Sequence, residues 1–253
     1  NKMRGKPGTS VKLTIKRGNE VIEVTIVREV IQIIPVKSGI TTYNGKKIGY
    51  VLITKFNEPV PTELDKALRK IYDQKADALI IDLRNNPGGL LDVAIKVSNM
   101  FLDSGKVIFS VKDRDGKITD RYISQGNNYP KIPVVVLVNN GSASASEIVA
   151  AAIKENNRGV LIGEKTFGKG SVQRGFPLSN GGTVFLTIAH YITPSGKDIH
   201  KIGIEPNIKV TEIATSTSRK VEAKSYTLTE IEVDQQDPVI KTALDYLTQP
   251  GGK

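Results

Sequence analysis

Three serines, Ser142, Ser144 and Ser146, share one short turn in the run NNGSASASE, and further along a lysine, Lys169, stands between two glycines in TFGKGSVQ. A serine hydroxyl is a weak nucleophile until a base takes its proton, and a lysine amine can serve only when it is neutral. The reference lysine pKa is about 10.4, so burial in an apolar pocket is what would make Lys169 such a base. Phe167, Val172 and the neighbouring strands are the residues available to bury it. Only two histidines, His190 and His200, occur in the chain, which leaves little material for a Ser-His-Asp triad or a His-rich metal site. Lysine is therefore the leading base, and each of the three serines competes for the role of nucleophile.

Positioning such a pair requires a strand and a helix on either side of the serine turn. Residues 134–138, VVVLV, form the continuous apolar run of a strand covered on both faces. The chain then turns at Asn139-Asn140-Gly141, and residues 144–156 carry apolar side chains at helical spacing. The serines thus lie between the carboxyl end of a strand and the amino end of a helix, the usual ligand crevice of an open α/β sheet. The first helical N–H groups, that of Ala145 among them, are free there to bind an oxyanion. The run Ser144-Ala145-Ser146-Glu147 also fits a capping box, a purely structural role.

Strand, glycine turn and helix occur once before. Residues 78–83 form a buried strand, RNNPGG follows over residues 84–89, and residues 90–101 read as a helix. If the two strands are neighbours, Gly88 and Gly89 present unobstructed N–H groups beside the serine turn, although PGG is equally compatible with a plain loop.

The SASASE turn, the TFGKGSVQ segment and DLRNNPGG, in that order of chemistry, resemble the carboxy-terminal processing or tail-specific proteases of bacterial type. The resemblance runs from about Val11 to about Val210. It implies a serine endopeptidase with a Ser/Lys pair, and a fold in which a mixed twisted sheet is flanked by helices in a ClpP- or crotonase-like α/β core. The family's twenty-five-residue spacing between nucleophile and lysine selects Ser144 with Lys169. It further implies Gln173 as a residue that orients the base, and Ala145 with Gly88 or Gly89 as oxyanion donors. Glu155 stands where some members carry an aspartate proposed as a third catalytic group, but its place at the far end of the helix reads as solvated surface. The resemblance also implies cleavage near unstructured protein carboxyl termini, gating by a PDZ module, an extracytoplasmic location and a homo-oligomer, a dimer. Two other classes of function remain open at this point. One is a non-catalytic peptide-tail-binding module, and the other is an acyl-CoA hydrolase or hydratase of related fold.

Three regions are expected. Residues 1–29, two alternating strands (11–16 and 21–28) around Arg17-Gly18-Asn19-Glu20, resemble the closing strands of a PDZ domain whose peptide groove is missing. Residues 30–212 form the protease core, with 30–39 as a connector, strands at 48–56 and 182–191, a helix at 62–74 and a hairpin around Asp113-Arg114-Asp115-Gly116. Residues 213–253 form a linker and a docking helix over 237–247, with Asp237 as its N-cap and Pro238 in its first turn.

The 253 residues, 39% hydrophobic and 25% charged, suffice for one large domain with appendages. The absence of cysteine excludes disulfides and thiolate metal sites, and no cofactor fingerprint is present. The formal charge of +10 is spread along the chain without a basic, aromatic-interleaved run, which argues for a solvated surface rather than nucleic-acid binding. No apolar stretch reaches the roughly 18 residues needed to span a bilayer. The sequence starts at Asn1, so it reads as beginning partway through its gene product, and a membrane tether would belong to the missing amino-terminal part.

Overall fold

The computed structural model describes residues 3–30, 34–127, 129–211 and 229–249. The chain divides into two units. In the first, β1 (Ser10–Arg17) and β2 (Glu20–Val27) pair antiparallel with Arg17 opposite Glu20, so Gly18 and Asn19 make a two-residue hairpin turn. Alternation places Val11 and Leu13 of one strand with Ile22 and Val24 of the other on a single half-buried face.

The second unit is built on a six-stranded mixed sheet. Its strands are β3 (Val36–Tyr43), β4 (Lys46–Ile53), β5 (Ala78–Asp82), β8 (Val134–Val138), β9 (Val160–Gly163) and β12 (Ile208–Lys209), in the order β12-β9-β8-β5-β4-β3. All neighbours are parallel except β3 and β4, which form an antiparallel hairpin. Helices α1 (Val60–Asp73), α2 (Leu91–Asn99) and α3 (Ala145–Glu155) cover one face, and α4 (Pro238–Thr248) the other.

The apolar runs of the central strands follow from this double cover. In β8, Val134, Val136 and Val138 enter the core under α1–α3, while Val135 and Leu137 meet Val239, Ile240, Ala243, Leu244 and Leu247 of α4. Helix α4 starts as its sequence dictates, with Asp237 accepting from the N–H groups of Val239 and Ile240 and proline in the first turn. A second, antiparallel sheet has the order β10-β11-β6-β7, from β6 (Val107–Asp113), β7 (Ile118–Ile123), β10 (Ser171–Pro177) and β11 (Thr183–Ile192). Phe109 joins it to the main core, stacked on Tyr122 with centroids 4.4 Å apart and meeting Tyr191 edge-on.

Two elements differ from the expectation. Residues 36–39, read as connector, begin β3, a strand whose KSGITT stretch lacks an apolar alternation and is part-buried except at the exposed Thr42. Its outer edge is joined by residues 229–231: Ser38 N–H donates to Thr229 O at 2.9 Å and Ile231 N–H to Ser38 O at 3.0 Å. Residues 171–177 form β10, a strand the glycines obscured. The expected linker at 213–225 lies outside the described residues.

Candidate active site

Because β5 and β8 are parallel neighbours, their carboxyl ends deliver the PGG turn and the serine turn to the same edge of the sheet. The turns are stitched together. Ser142 Oγ donates to Leu83 O at 2.8 Å and accepts from Asn139 N–H at 3.0 Å. Ser146 Oγ and Ala143 N–H both reach Asn86 O, at 2.9 and 3.0 Å. Asn85 N–H donates to Asn139 Oδ1 at 2.9 Å.

These bonds separate the three serines. Ser142 and Ser146 are fully buried, with their hydroxyls committed to the scaffold. Ser144 is half-buried and caps α3 at φ 57°, ψ −115°, a left-handed conformation costing about 1–3 kcal/mol for a residue with a Cβ. It stands in a capping box with Glu147, donating its N–H to Glu147 Oε2 at 2.9 Å; its side chain faces the Glu147 amide without making a full hydrogen bond, since that N–H goes to Ser144 O at 2.9 Å. Ser144 is thus the serine whose oxygen is left for other chemistry.

The donors around it are also distinguishable. Ala145 N–H is the first amide of α3, where no helix carbonyl can reach it. Gly88 N–H is already used, donating to Asn86 Oδ1 at 2.9 Å. Gly89 N–H has no partner among the described residues. Both glycines need their lack of a side chain. A Cβ on Gly88, at φ +92°, would lie 2.8 Å from Ser144 Cβ and 2.9 Å from Ala145 N, filling the space before that amide. A Cβ on Gly89 would collide with Phe56 O, because the turn is pinned to Phe56 through Phe56 N–H to Gly88 O (3.0 Å) and Leu90 N–H to Phe56 O (2.7 Å).

Beneath the PGG turn lies a buried ionic network. Asp82 Oδ2 accepts from Tyr50 OH at 2.6 Å and from Arg84 Nη2 at 2.7 Å, and Arg84 Nη1 donates to Asp237 Oδ2 at 2.8 Å. Burial works against the Arg84 charge, but Asp82 and Asp237 outweigh it and hold the guanidinium firmly protonated.

Lys169 enters from the loop between β9 and β10. Its side chain is exposed, as is Phe167 at 66%, and Val172 is half-buried, so the apolar pocket expected around the amine is not formed by these residues. Among the described residues, no hydrogen bond joins Lys169 Nζ to Ser144 Oγ. The loop's backbone, in contrast, is well anchored: Lys201 N–H donates to Gly168 O at 2.8 Å, Tyr191 N–H to Gly170 O at 2.7 Å, and Phe167 N–H to Ser142 O at 3.0 Å. Gly170 packs on His200, whose ring lies 4.6 Å from that of His190. Asp198 holds both, accepting from His200 N–H at 2.9 Å and sitting 2.8 Å from His190 Nδ1. Gln173 is exposed on β10, next to a β-bulge, and is not bonded to Lys169. Glu155 accepts from Ser195 N–H at 2.8 Å at the opposite end of α3 from Ser144, a surface contact as expected.

One group at the centre was read from sequence only as a cap. Glu147 is fully buried, and its carboxylate accepts four hydrogen bonds: from Ser144 N–H, from Thr166 Oγ1 at 2.6 Å, and from Gly168 and Lys169 N–H, each at 2.8 Å. The capping pattern disclosed the first of these; the others depend on a loop nearly a full βαβ turn away. Among the described residues no group of three or more His, Asp or Glu side chains is placed to hold a metal ion.

A strained serine at a strand-to-helix turn, close to the Ala145 N–H at the start of α3, is a geometry suited to attack on a carbonyl carbon. The chain belongs to peptidase family S41, whose profile matches residues 47–210. It is 40% identical over 250 residues to a carboxyl-terminal-processing protease of Picosynechococcus, covering 98% of this chain and 57% of that one. It is 42% identical over 212 residues to the carboxy-terminal processing protease CtpA of Bacillus subtilis, covering 82% of this chain and 44% of that protein. Among solved structures it is similar to the photosystem II D1 C-terminal processing protease, with a TM-score of 0.67, 33% identity, and coverage of 82% of this chain and 57% of that one. The chain therefore spans about half the length of the curated relatives it matches.

Proposed function

We propose that this chain is the core of a serine endopeptidase that cleaves proteins near unstructured carboxyl termini. The observation that carries this reading is the separation of the serines: of the three, Ser144 alone does not commit its hydroxyl to the neighbouring turn, and it stands in a strained conformation next to the Ala145 N–H and packed against Gly88. Ser144 Oγ attacks the scissile carbonyl carbon and its proton passes to Lys169 Nζ. Ala145 and Gly89 N–H hold the resulting oxyanion, with the Gly88 amide occupied by Asn86. Collapse of the tetrahedral intermediate expels the amine, which takes the proton from Lys169. Water, deprotonated by the same lysine, then attacks the acyl carbon, and the lysine returns that proton to Ser144 Oγ as the acid product leaves.

Lys169 is solvent-facing here, so the productive pair requires its side chain to turn toward Ser144 while a bound substrate excludes water. Gln173, one bulge along β10, orients the amine in that arrangement. The fold is of the ClpP- or crotonase-like kind, and the hairpin of residues 10–27 is the end of a PDZ domain that gates the site. The relatives' names support carboxyl-terminal processing; an extracytoplasmic, dimeric enzyme rests on the family resemblance alone.

The test is digestion of an unfolded protein by wild type, Ser144→Ala and Lys169→Ala. Both variants are expected to be inactive while folded. Wild-type turnover by either one overturns the assignment.

A further inference from the structure

We propose that Glu147 is the positioning residue that fixes nucleophile and base in one frame; the proposal rests on the Ser144/Lys169 reading above. A helix cap explains one of its hydrogen bonds, the one to Ser144 N–H. The other three run to a segment 19 to 22 residues away, to Thr166, Gly168 and the Lys169 amide itself. Glu147 Oε2 accepts at once from the backbone N–H of Ser144 and of Lys169, at 2.9 and 2.8 Å. One atom thus spans the two residues whose mutual distance decides the chemistry.

All four contacts are donors. Thr166 Oγ1 accepts from Ile204 N–H at 2.7 Å, so its own hydrogen is the one given to Glu147. Four donors fill the four lone-pair sites of a carboxylate. No cation pairs with this buried carboxylate among the described residues, so the charge is compensated by these N–H and O–H dipoles and by the amino end of α3, in whose first turn it lies. A glutamine, isosteric but carrying an NH2 group, would turn two hydrogens toward groups that are themselves donors. An aspartate would withdraw the oxygens by one methylene, out of reach of the loop.

The consequence for the reaction is a division of labour. Glu147 holds the backbone at residue 169 in place whether or not the amine is engaged, so engagement is a rotation of the lysine side chain about a fixed Cα. Without Glu147 the loop and the serine turn become separate pieces, and the pair must be assembled anew for each turnover.

The test uses Glu147→Gln beside wild type and Ser144→Ala, with kcat and KM for an unfolded protein substrate and the rate of covalent labelling of Ser144 by a fluorophosphonate. Misplacing reacting groups by about 1 Å can cost on the order of 100-fold, so Glu147→Gln is expected to lower kcat by about that factor. KM should stay within about threefold, and labelling should slow in parallel with kcat, because substrate contacts are untouched while assembly of the pair is impaired. Glu147→Asp should not restore the rate. A folded Glu147→Gln protein with kcat near wild type, or one that loses only KM, overturns the proposal. Should Glu147→Gln fail to fold, Thr166→Val against Thr166→Ser decides: the valine protein is expected to label about tenfold more slowly than the serine protein, since one buried hydrogen bond is worth about 1–1.5 kcal/mol. Equal labelling rates overturn it. If Ser144→Ala is itself active, the dyad reading fails rather than the role of Glu147.

Discussion

Arg84 Nη1 and Asp237 Oδ2 lie 2.8 Å apart, which ties the start of the PGG turn to the N-cap of the last helix. Asp237 serves two purposes, since its other oxygen accepts from Val239 and Ile240 N–H. Asp237→Ala is expected to lose about 2–4 kcal/mol of stability, from the cap and from the carboxylate withdrawn from a buried arginine. Asp237→Asn, which keeps a capping oxygen, should lose less. Urea unfolding monitored by circular dichroism measures both.

Ser142→Ala and Ser146→Ala should separate structure from chemistry. Each removes a buried hydrogen bond, to Leu83 O in one case and Asn86 O in the other; both carbonyls keep an N–H donor, so the cost is about 0.5–1.5 kcal/mol, and more for Ser142→Ala because Asn139 N–H also loses its acceptor. Both are expected to retain proteolysis at temperatures where they remain folded. Ser144→Ala should show the reverse, with no loss of thermal stability and no turnover. Paired melting curves and protease assays on the three variants give the comparison.

Gly88→Ala should abolish most activity although the side chains of Ser144 and Lys169 are both retained. The added Cβ would meet Ala143 O at 2.6 Å and Ala145 N at 2.9 Å, closing the space an oxyanion would occupy. Loss of a single such donor typically costs about 100- to 1000-fold in kcat, and that range is expected here. The measurement is kcat on a fixed peptide substrate, with fluorophosphonate labelling as a check that Ser144 remains accessible.

Acid stability should depend on Asp198. Burial alone would raise its pKa, but the His200 N–H, the His190 ring and Lys112 overcome this and hold the carboxyl below its usual range. A group depressed in the folded state contributes stability above its unfolded pKa of about 3.9, and that contribution is lost as the pH falls through the folded value. Wild type should therefore be more stable than Asp198→Asn at pH 5 and above, with the gap shrinking below about pH 4. Thermal midpoints across pH 3–7 test this, and a gap that is constant down to pH 3 would contradict it.

Much of the scaffold was legible because its signals are local. Residues 134–138 read as a doubly covered strand from their unbroken β-branched run, and that strand was found at Val134–Val138. The helix at Pro238–Thr248 announced itself through Asp237 and Pro238. Strand β3 was not legible, since Lys37, Ser38 and Gly39 become strand only through pairing with β4 and with residues 229–231, contacts remote in the chain. The same holds at the site. The type and order of Ser144, Lys169 and the PGG turn pointed to a hydrolase, but three further facts are products of tertiary structure: which hydroxyl is free, which glycine amide is open, and where the Glu147 carboxylate goes.

The pairing of residues 229–231 with Ser38, together with the seat of α4 under the sheet, also sets where the molecule can be cut. The region that defines the family, residues 47–210, contains every proposed reacting group yet omits β3 and α4. A fragment trimmed to those limits would bare Ile80, Val135, Leu137 and Ile162 to water and take the Asp237 carboxylate away from Arg84. The smallest piece worth expressing therefore begins before Val36 and runs through Thr248, because the domain recognised by descent and the body that folds do not share the same ends.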